Sequence, residues 1–268
     1  ANLEKIKRFI VEGALQGVDI LVFPELCLSG YEADEKRVLH SELAETIPGP
    51  SVDVICELAA EHNMYVTFGM PERDSEDKSV CYIACPFIGP EGLIGTYRKL
   101  HLGRPPMFTE SECFKGGDAV PVFETRFGPV GVLICVDFWN FPELARILML
   151  KGARLILNST ASMDAPGRPE YITQQTGARA TENVLYTASA NLVGKENTKS
   201  FYGHSTIAGP SFPRFNYIYA QAGYDEELIS ATLSFEKLHR FRDNVQIDKI
   251  RRDDVIMAEF EKLNSNRN

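Results

Sequence analysis

No run of apolar residues in this chain approaches the roughly 20 needed to cross a bilayer, which excludes a membrane-spanning helix within it. A basic surplus is also missing. The 28 Lys and Arg are outnumbered by 37 Asp and Glu, giving a formal net charge of -9. That balance argues against a nucleic-acid partner, because phosphate contacts need clustered Lys and Arg. The 5 histidines are scattered, and none forms HExxH or another metal spacing. Cys81 and Cys85 are close in sequence, but no second Cys or His pair completes a zinc set, so no metal is expected. The 6 cysteines show no compact disulfide framework, and a chain of 268 residues buries enough core not to need one. Reduced thiols predict a cytoplasmic protein. There is no visible secretory leader, domain linker, low-complexity tract or internal repeat.

What the sequence does have is a series of short apolar runs, each ending on a polar or reactive residue. Residues 130–134 read as a fully buried strand that stops at Cys135; after a turn the chain resumes as a helix over 144–150. Residues 19–23 read as a second buried strand. Pro24, which cannot donate to a central ladder, closes it and Glu25 follows. Residues 64–70 and 80–88 read as further strands. The latter turns through 89–92 into 93–97 as a hairpin, with Arg98 and Lys99 next. Residues 1–12 and 170–182 pattern as helices, and Ser51 as the N-cap of another. Residues 154–158, 184–190, 203–210 and 228–235 are the remaining strand candidates. Residues 103–117 form a loop too long for a simple turn, and such loops often carry function. The charged stretch over 237–268 predicts a C-terminal arm. Helix–strand alternation mixed with hairpins predicts one α/β (α+β) domain over 1–268.

Each of the three residues at the strand ends has a plain reading alone. Cys135 reads as a core cysteine, Glu25 as a solvated loop carboxylate, and Lys99 as part of a solvated strand edge. Together they describe one chemistry. A nucleophilic thiol needs a base to take its proton. Glu25 serves if burial raises its pKa toward neutrality. Attack on a carbonyl builds negative charge on oxygen, which the Lys99 ammonium and a backbone N–H just after the nucleophile would stabilise.

This order of Glu25, Lys99 and Cys135 resembles the nitrilase superfamily, the carbon–nitrogen hydrolases. The matching stretches are Phe23-Pro24-Glu25, Tyr97-Arg98-Lys99-Leu100-His101, and Ile134-Cys135-Val136-Asp137 with Phe141-Pro142-Glu143-Leu144 behind it. Gly152-Ala153 leading to Asn158, and Ala178-Arg179-Ala180-Thr181-Glu182-Asn183 with Tyr186 and Asn191, extend the match over nearly the whole chain. The resemblance implies a four-layer αββα sandwich whose subunits pair as a homodimer or higher homo-oligomer. It implies Cys135 as nucleophile, Glu25 as general base and Lys99 as stabiliser of the tetrahedral intermediate. Glu110, in Phe108-Thr109-Glu110-Ser111, takes the place of a second glutamate, with Glu112 as the alternative. The Val136 N–H becomes the oxyanion donor, and no metal or organic cofactor is required. The family normally opens with a strand before the first helix. That strand is expected ahead of Ala1, and the first sheet would be compromised without it.

The implied reaction is hydrolysis of a small amide through a Cys thioester, releasing ammonia and a carboxylic acid. N-carbamoyl amines are the alternative substrates. Nitrile-cleaving members usually carry Cys-Trp-Glu where this chain has Cys135-Val136-Asp137, which disfavours nitriles. A catalytically silent binding or scaffold member is the reading from another class, and the intact Glu25, Lys99 and Cys135 argue against it. Carbamoylases acting on amino acids often place arginines just after the cysteine to clamp a carboxylate. Phe138-Trp139-Asn140 stands there instead, which predicts a mainly apolar or neutral acyl pocket. Tyr31, Val136, Phe138, Trp139 and Thr160 are its candidate residues.

Overall fold

The computed structural model describes residues 1–31 and 38–265. The first half of the chain runs α1 (Asn2–Leu15), β1 (Ile20–Val22), α2 (Val38–Leu43), α3 (Pro50–His62), β2 (Tyr65–Thr67), β3 (Met70–Arg73), β4 (Cys81–Gly89) and β5 (Gly92–Arg98). It continues with α4 (Glu110–Cys113), β6 (Val122–Phe123), β7 (Val130–Ile134), α5 (Val136–Asn140), α6 (Pro142–Leu150), β8 (Leu155–Thr160), α7 (Arg168–Asn183) and β9 (Tyr186–Asn191). Last come β10 (Val193–Glu196), β11 (Lys199–Tyr202), β12 (Thr206–Ser211), β13 (Arg214–Gln221), α8 (Phe235–Val245) and α9 (Asp253–Ser265).

Two sheets face each other. The first has the order β1-β2-β4-β3 with β5 also on β4; the second has the order β13-β12-β9-β8-β7-β6. β7, β8 and β9 are parallel. They are buried along their whole length, and β7 and the first half of β8 read as continuous apolar runs, as parallel strands do. The inner faces meet in one core, where Ile83, Cys85 and Phe87 of β4 pack with Val132 and Ile134 of β7 and with Leu155 and Leu157 of β8. α1 and α3 cover the outside of the first sheet, and α6 and α7 the outside of the second. The expected αββα layering is therefore present. Among the described residues no helix is long and apolar enough to cross a membrane.

Several elements differ from their expected form. The apolar run 64–70 is two strands, not one, because the chain breaks at Phe68-Gly69 to pass the segment after β1. An added Cβ at Gly69 would lie 2.3 Å from the Leu26 amide nitrogen and 2.6 Å from the Glu25 Cα. The N-cap of α3 is Gly49 rather than Ser51. Pro50 follows it, and Ser51 instead gives its N–H and hydroxyl to the Glu45 carboxylate at 2.8 and 2.6 Å. Residues 228–234 form no strand; they run irregularly into α8 and line a cavity of about 560 Å³ along β1. Neither Glu25, Lys99 nor Cys135 lines that cavity. The hairpin of β12 and β13 completes the second sheet where the sequence marked only the first of its strands. Within 237–268, α8 buries Leu238, Phe241 and Arg242, whereas α9 buries no residue.

Candidate active site

Four polar side chains meet at the seam between the sheets, each delivered by a different chain segment. Glu25 follows β1 and Lys99 follows β5, both from the first sheet. Cys135 follows β7 of the second sheet, and Glu110 opens α4 in the long loop. Backbone bonds across the seam fix the levels. The Glu25 N–H donates to the Thr160 carbonyl at 3.3 Å, and the Ser159 hydroxyl donates to the Phe23 carbonyl at 2.7 Å. The chain can turn away from β1 at Leu26 only because Gly69 leaves room beside it.

Cys135 occupies a strained bend. Its φ of 50 and ψ of -111 lie where side chains are rarely found, a departure that costs about 1–3 kcal/mol unless the surroundings hold it. They do hold it. The Cys135 N–H donates to the Ser159 carbonyl at 2.9 Å and to the Asn158 Oδ1 at 3.1 Å. Asn158 donates in turn to the Ser189 hydroxyl at 3.1 Å. The Cys135 carbonyl accepts the N–H groups of Phe138 and Trp139. The bend makes Val136 the first residue of α5, where a backbone N–H has no partner within the helix.

Lys99 is 1% exposed and Glu25 0%, so this charge cluster lies in a low-dielectric interior. The Lys99 ammonium donates to Glu25 Oε1 at 2.7 Å and to both oxygens of Glu110 at 2.8 Å. Glu110 is fully engaged: Oε1 also accepts the Tyr31 hydroxyl at 2.6 Å, and Oε2 accepts the Gly103 N–H at 2.7 Å. Burial alone would raise the Glu110 pKa, but Lys99, Tyr31 and Gly103 outweigh it and hold the carboxyl below its ordinary value. Glu25 has only the Lys99 ammonium and the Cys135 thiol as donors. Its Oε2 is buried without a hydrogen-bond partner among the described residues. Burial pushes its pKa up to about 7, Lys99 opposes that, and the Glu110 charge adds to it. Burial also opposes the charge on Lys99, yet Glu25, Cys135 and Glu110 together hold it firmly protonated. The Cys135 thiol is pushed up to about 12, first by burial and then by the Glu25 charge, with Lys99 pulling the other way. At neutral pH the site therefore holds a thiol beside a carboxylate that can take its proton.

The remaining expected residues fall around this cluster. Tyr31 is buried with its hydroxyl on Glu110. Thr160 hydrogen-bonds the Cys135 side chain and accepts the Trp139 indole N–H at 3.2 Å. Phe138 is wholly buried, edge-on to Trp139. Glu112 is exposed, so of the two candidate glutamates only Glu110 faces Lys99.

Sequence reasoning missed Asp137 and Arg179 as site-building residues. Asp137, buried two residues past Cys135, accepts the Tyr97 hydroxyl at 2.7 Å, the Leu100 N–H at 3.0 Å, the His101 N–H at 2.9 Å and the His101 ring at 2.8 Å. It ties the segment carrying Lys99 to the segment carrying Cys135. Arg179 caps the end of α5 by donating to the Phe138 and Trp139 carbonyls at 2.7 and 2.6 Å. The one available signal was that both are charged residues inside matching stretches.

A family model described as carbon-nitrogen hydrolase matches residues 1–243, and the chain belongs to this family within the nitrilase superfamily. Among its relatives, a nitrilase of Pyrococcus abyssi is 37% identical over 211 residues, covering 78% of this chain and 75% of that one. The omega-amidase NIT2 of Homo sapiens is 32% identical over 270 residues, covering 97% and 93%. The crystal structure of Saccharomyces cerevisiae Nit3, a member of branch 10 of the superfamily, is 30% identical; it superposes with a TM-score of 0.81 over 94% of this chain and 90% of that one.

Proposed function

We propose that this protein hydrolyses a small primary amide through a thioester on Cys135. The observation that carries the reading is the unequal pair of glutamates around Lys99. Glu110 has every oxygen engaged, whereas Glu25 keeps one oxygen without a partner and a pKa of about 7. A buried carboxylate with an idle oxygen and a near-neutral pKa beside a thiol is suited to moving a proton.

Glu25 takes the Cys135 proton as sulfur bonds to the amide carbon, and the carbonyl π pair moves onto oxygen. Transfer to Glu25 leaves the net charge of the site unchanged, whereas losing the thiol proton to solvent would add a second net negative charge beside two carboxylates and one ammonium. Lys99 and the Val136 N–H stabilise the oxyanion. As the C–N bond breaks, Glu25 returns its proton to nitrogen and ammonia leaves. Water then attacks the thioester, giving a proton to Glu25, which passes it to the departing sulfur. The acid leaves and the thiol is restored. Atoms balance as amide plus water to ammonia plus carboxylic acid.

The test is ammonia release from a panel of primary amides, N-carbamoyl amines and nitriles, with wild type beside Cys135→Ala. Nitriles belong in the panel because one relative bears the name nitrilase. Release from amides that is lost in the variant, together with an acyl adduct on Cys135 by mass spectrometry, is the expected result. Release from nitriles alone, or release that survives in Cys135→Ala, overturns the reading.

A further inference from the structure

The strained bend at Cys135 is tied to helix α7 through three buried side chains. The Cys135 N–H donates to Asn158 Oδ1 at 3.1 Å, and Asn158 Nδ2 donates to the Ser189 hydroxyl at 3.1 Å. The Ser189 hydroxyl lies 2.8 Å from that of Thr176 on α7. The Thr176 hydroxyl in turn lies 2.7 Å from the Ile172 carbonyl, one turn back in the same helix. Asn158, Ser189 and Thr176 are all buried, so these bonds form in a low-dielectric interior.

The row of bonds has one direction. A carbonyl cannot donate, so the Thr176 proton goes to Ile172, and Thr176 can only accept from Ser189. Ser189 has then given its proton away and accepts from Asn158. Asn158 must therefore turn its NH2 to Ser189 and its oxygen to Cys135. The flipped amide would set NH2 against the Cys135 N–H, donor against donor. Each bond polarises the next, and the last acceptor in the row is the one that holds the Cys135 amide. α7 also grips the far end of the same turn. Arg179, one turn after Thr176, donates to the Phe138 and Trp139 carbonyls at 2.7 and 2.6 Å. Residues three apart share one side of a helix, so a single face of α7 holds residues 135–140 at both ends.

We propose that Thr176 and Ser189 are positioning residues, which orient the Asn158 amide and through it fix the bend that carries the Cys135 thiol. Without the oriented acceptor the bend relaxes toward ordinary backbone geometry, and the sulfur moves relative to Glu25. This rests on the amidase reading above and extends it from the charged cluster to a row of neutral side chains.

The test reads Cys135 directly. Its alkylation by iodoacetamide is followed by mass spectrometry, at pH values on either side of about 7, in wild type, Thr176→Val, Thr176→Ser and Ser189→Ala. In wild type the rate should rise up to about 7 and then level, because ionised Glu25 takes the thiol proton. Thr176→Val keeps the branched shape and removes the hydroxyl. Its plateau rate should fall about three- to tenfold, the worth of one neutral hydrogen bond. The levelling should also give way to a continued climb, as a displaced thiol ionises by itself. Ser189→Ala should behave alike, and Thr176→Ser, which retains the hydroxyl, should follow wild type. Equal rates in Thr176→Val and Thr176→Ser would make Thr176 a packing residue and overturn the proposal, as would wild-type behaviour in Ser189→Ala. Should Thr176→Val fail to fold, Ser189→Ala removes the same link by shrinking a side chain and decides alone. No substrate enters this experiment, so its failure is distinct from that of the amidase reading, which stands or falls on ammonia release.

Discussion

At the residue scale, one lysine sits between two glutamates and the hydrogen bonds decide which does what. Glu110 is locked as a carboxylate by Lys99, Tyr31 and Gly103, while Glu25 titrates at about 7 because burial outweighs Lys99 and the Cys135 thiol. The sign of the pH effect follows. Below about 7 Glu25 is protonated and cannot accept the thiol proton, so kcat/KM for an amide should rise about tenfold per pH unit up to that point and then level off. A flat profile from about one and a half units below that point to about one unit above it would contradict this assignment. Glu110→Gln removes a charge that raises Glu25. Its inflection should move to lower pH, and kcat should fall at least about a hundredfold because Lys99 loses its anchor. A profile that shifts upward would argue against it. Glu25, Lys99 and Cys135 were legible in the sequence because each stands just past an apolar run that folds as a buried strand. Asp137 and Asn158 were not, because their partners lie on segments far away in sequence.

At the scale of elements, apolar runs located most strands but could not show what passes beside them. Residues 64–70 are evenly apolar, and only the neighbouring segment at Pro24–Leu26 explains why β2 ends before Gly69. Residues 228–234 carry a strand-like pattern, yet the β12–β13 hairpin already supplies the outer strands of the second sheet. β13 carries Phe215, Tyr217, Ile218 and Tyr219, yet it stands at the edge of its sheet with its residues largely exposed. Gly69 carries the sharpest consequence. A methyl there meets backbone at 2.3 Å from Leu26 and 2.6 Å from the Pro24 carbonyl, which no side-chain rotation relieves. Gly69→Ala should therefore destabilise the fold by about 1–3 kcal/mol, as overpacking does. It should also lower kcat, because the displaced segment carries Glu25. Thermal melts and steady-state rates on the same preparation check both. A variant with unchanged melting and a lowered kcat would still fit a shifted Glu25; one with unchanged melting and unchanged kcat would not.

At the scale of the whole molecule, the site is also the fastening between the two sheets. Tyr97, Leu100 and His101 belong to the first sheet's last strand and its continuation, and all donate to Asp137 from the second. Ser159 and Phe23, and Thr160 and Glu25, add backbone-anchored bonds along the same seam. The two halves should therefore unfold together. Asp137→Ala leaves a buried hydroxyl and two buried N–H groups without their acceptor, and each orphan costs about 1–3 kcal/mol. The sum is several kcal/mol, which for a chain of this size lowers the melting temperature by roughly 10 °C. Asp137→Asn keeps the shape and part of the accepting capacity, so its loss should be smaller. Differential scanning calorimetry distinguishes the possibilities. One cooperative transition, shifted down most in Asp137→Ala, is the expected result. Two resolved transitions in wild type would mean that the sheets are independent units and that Asp137 does not join them.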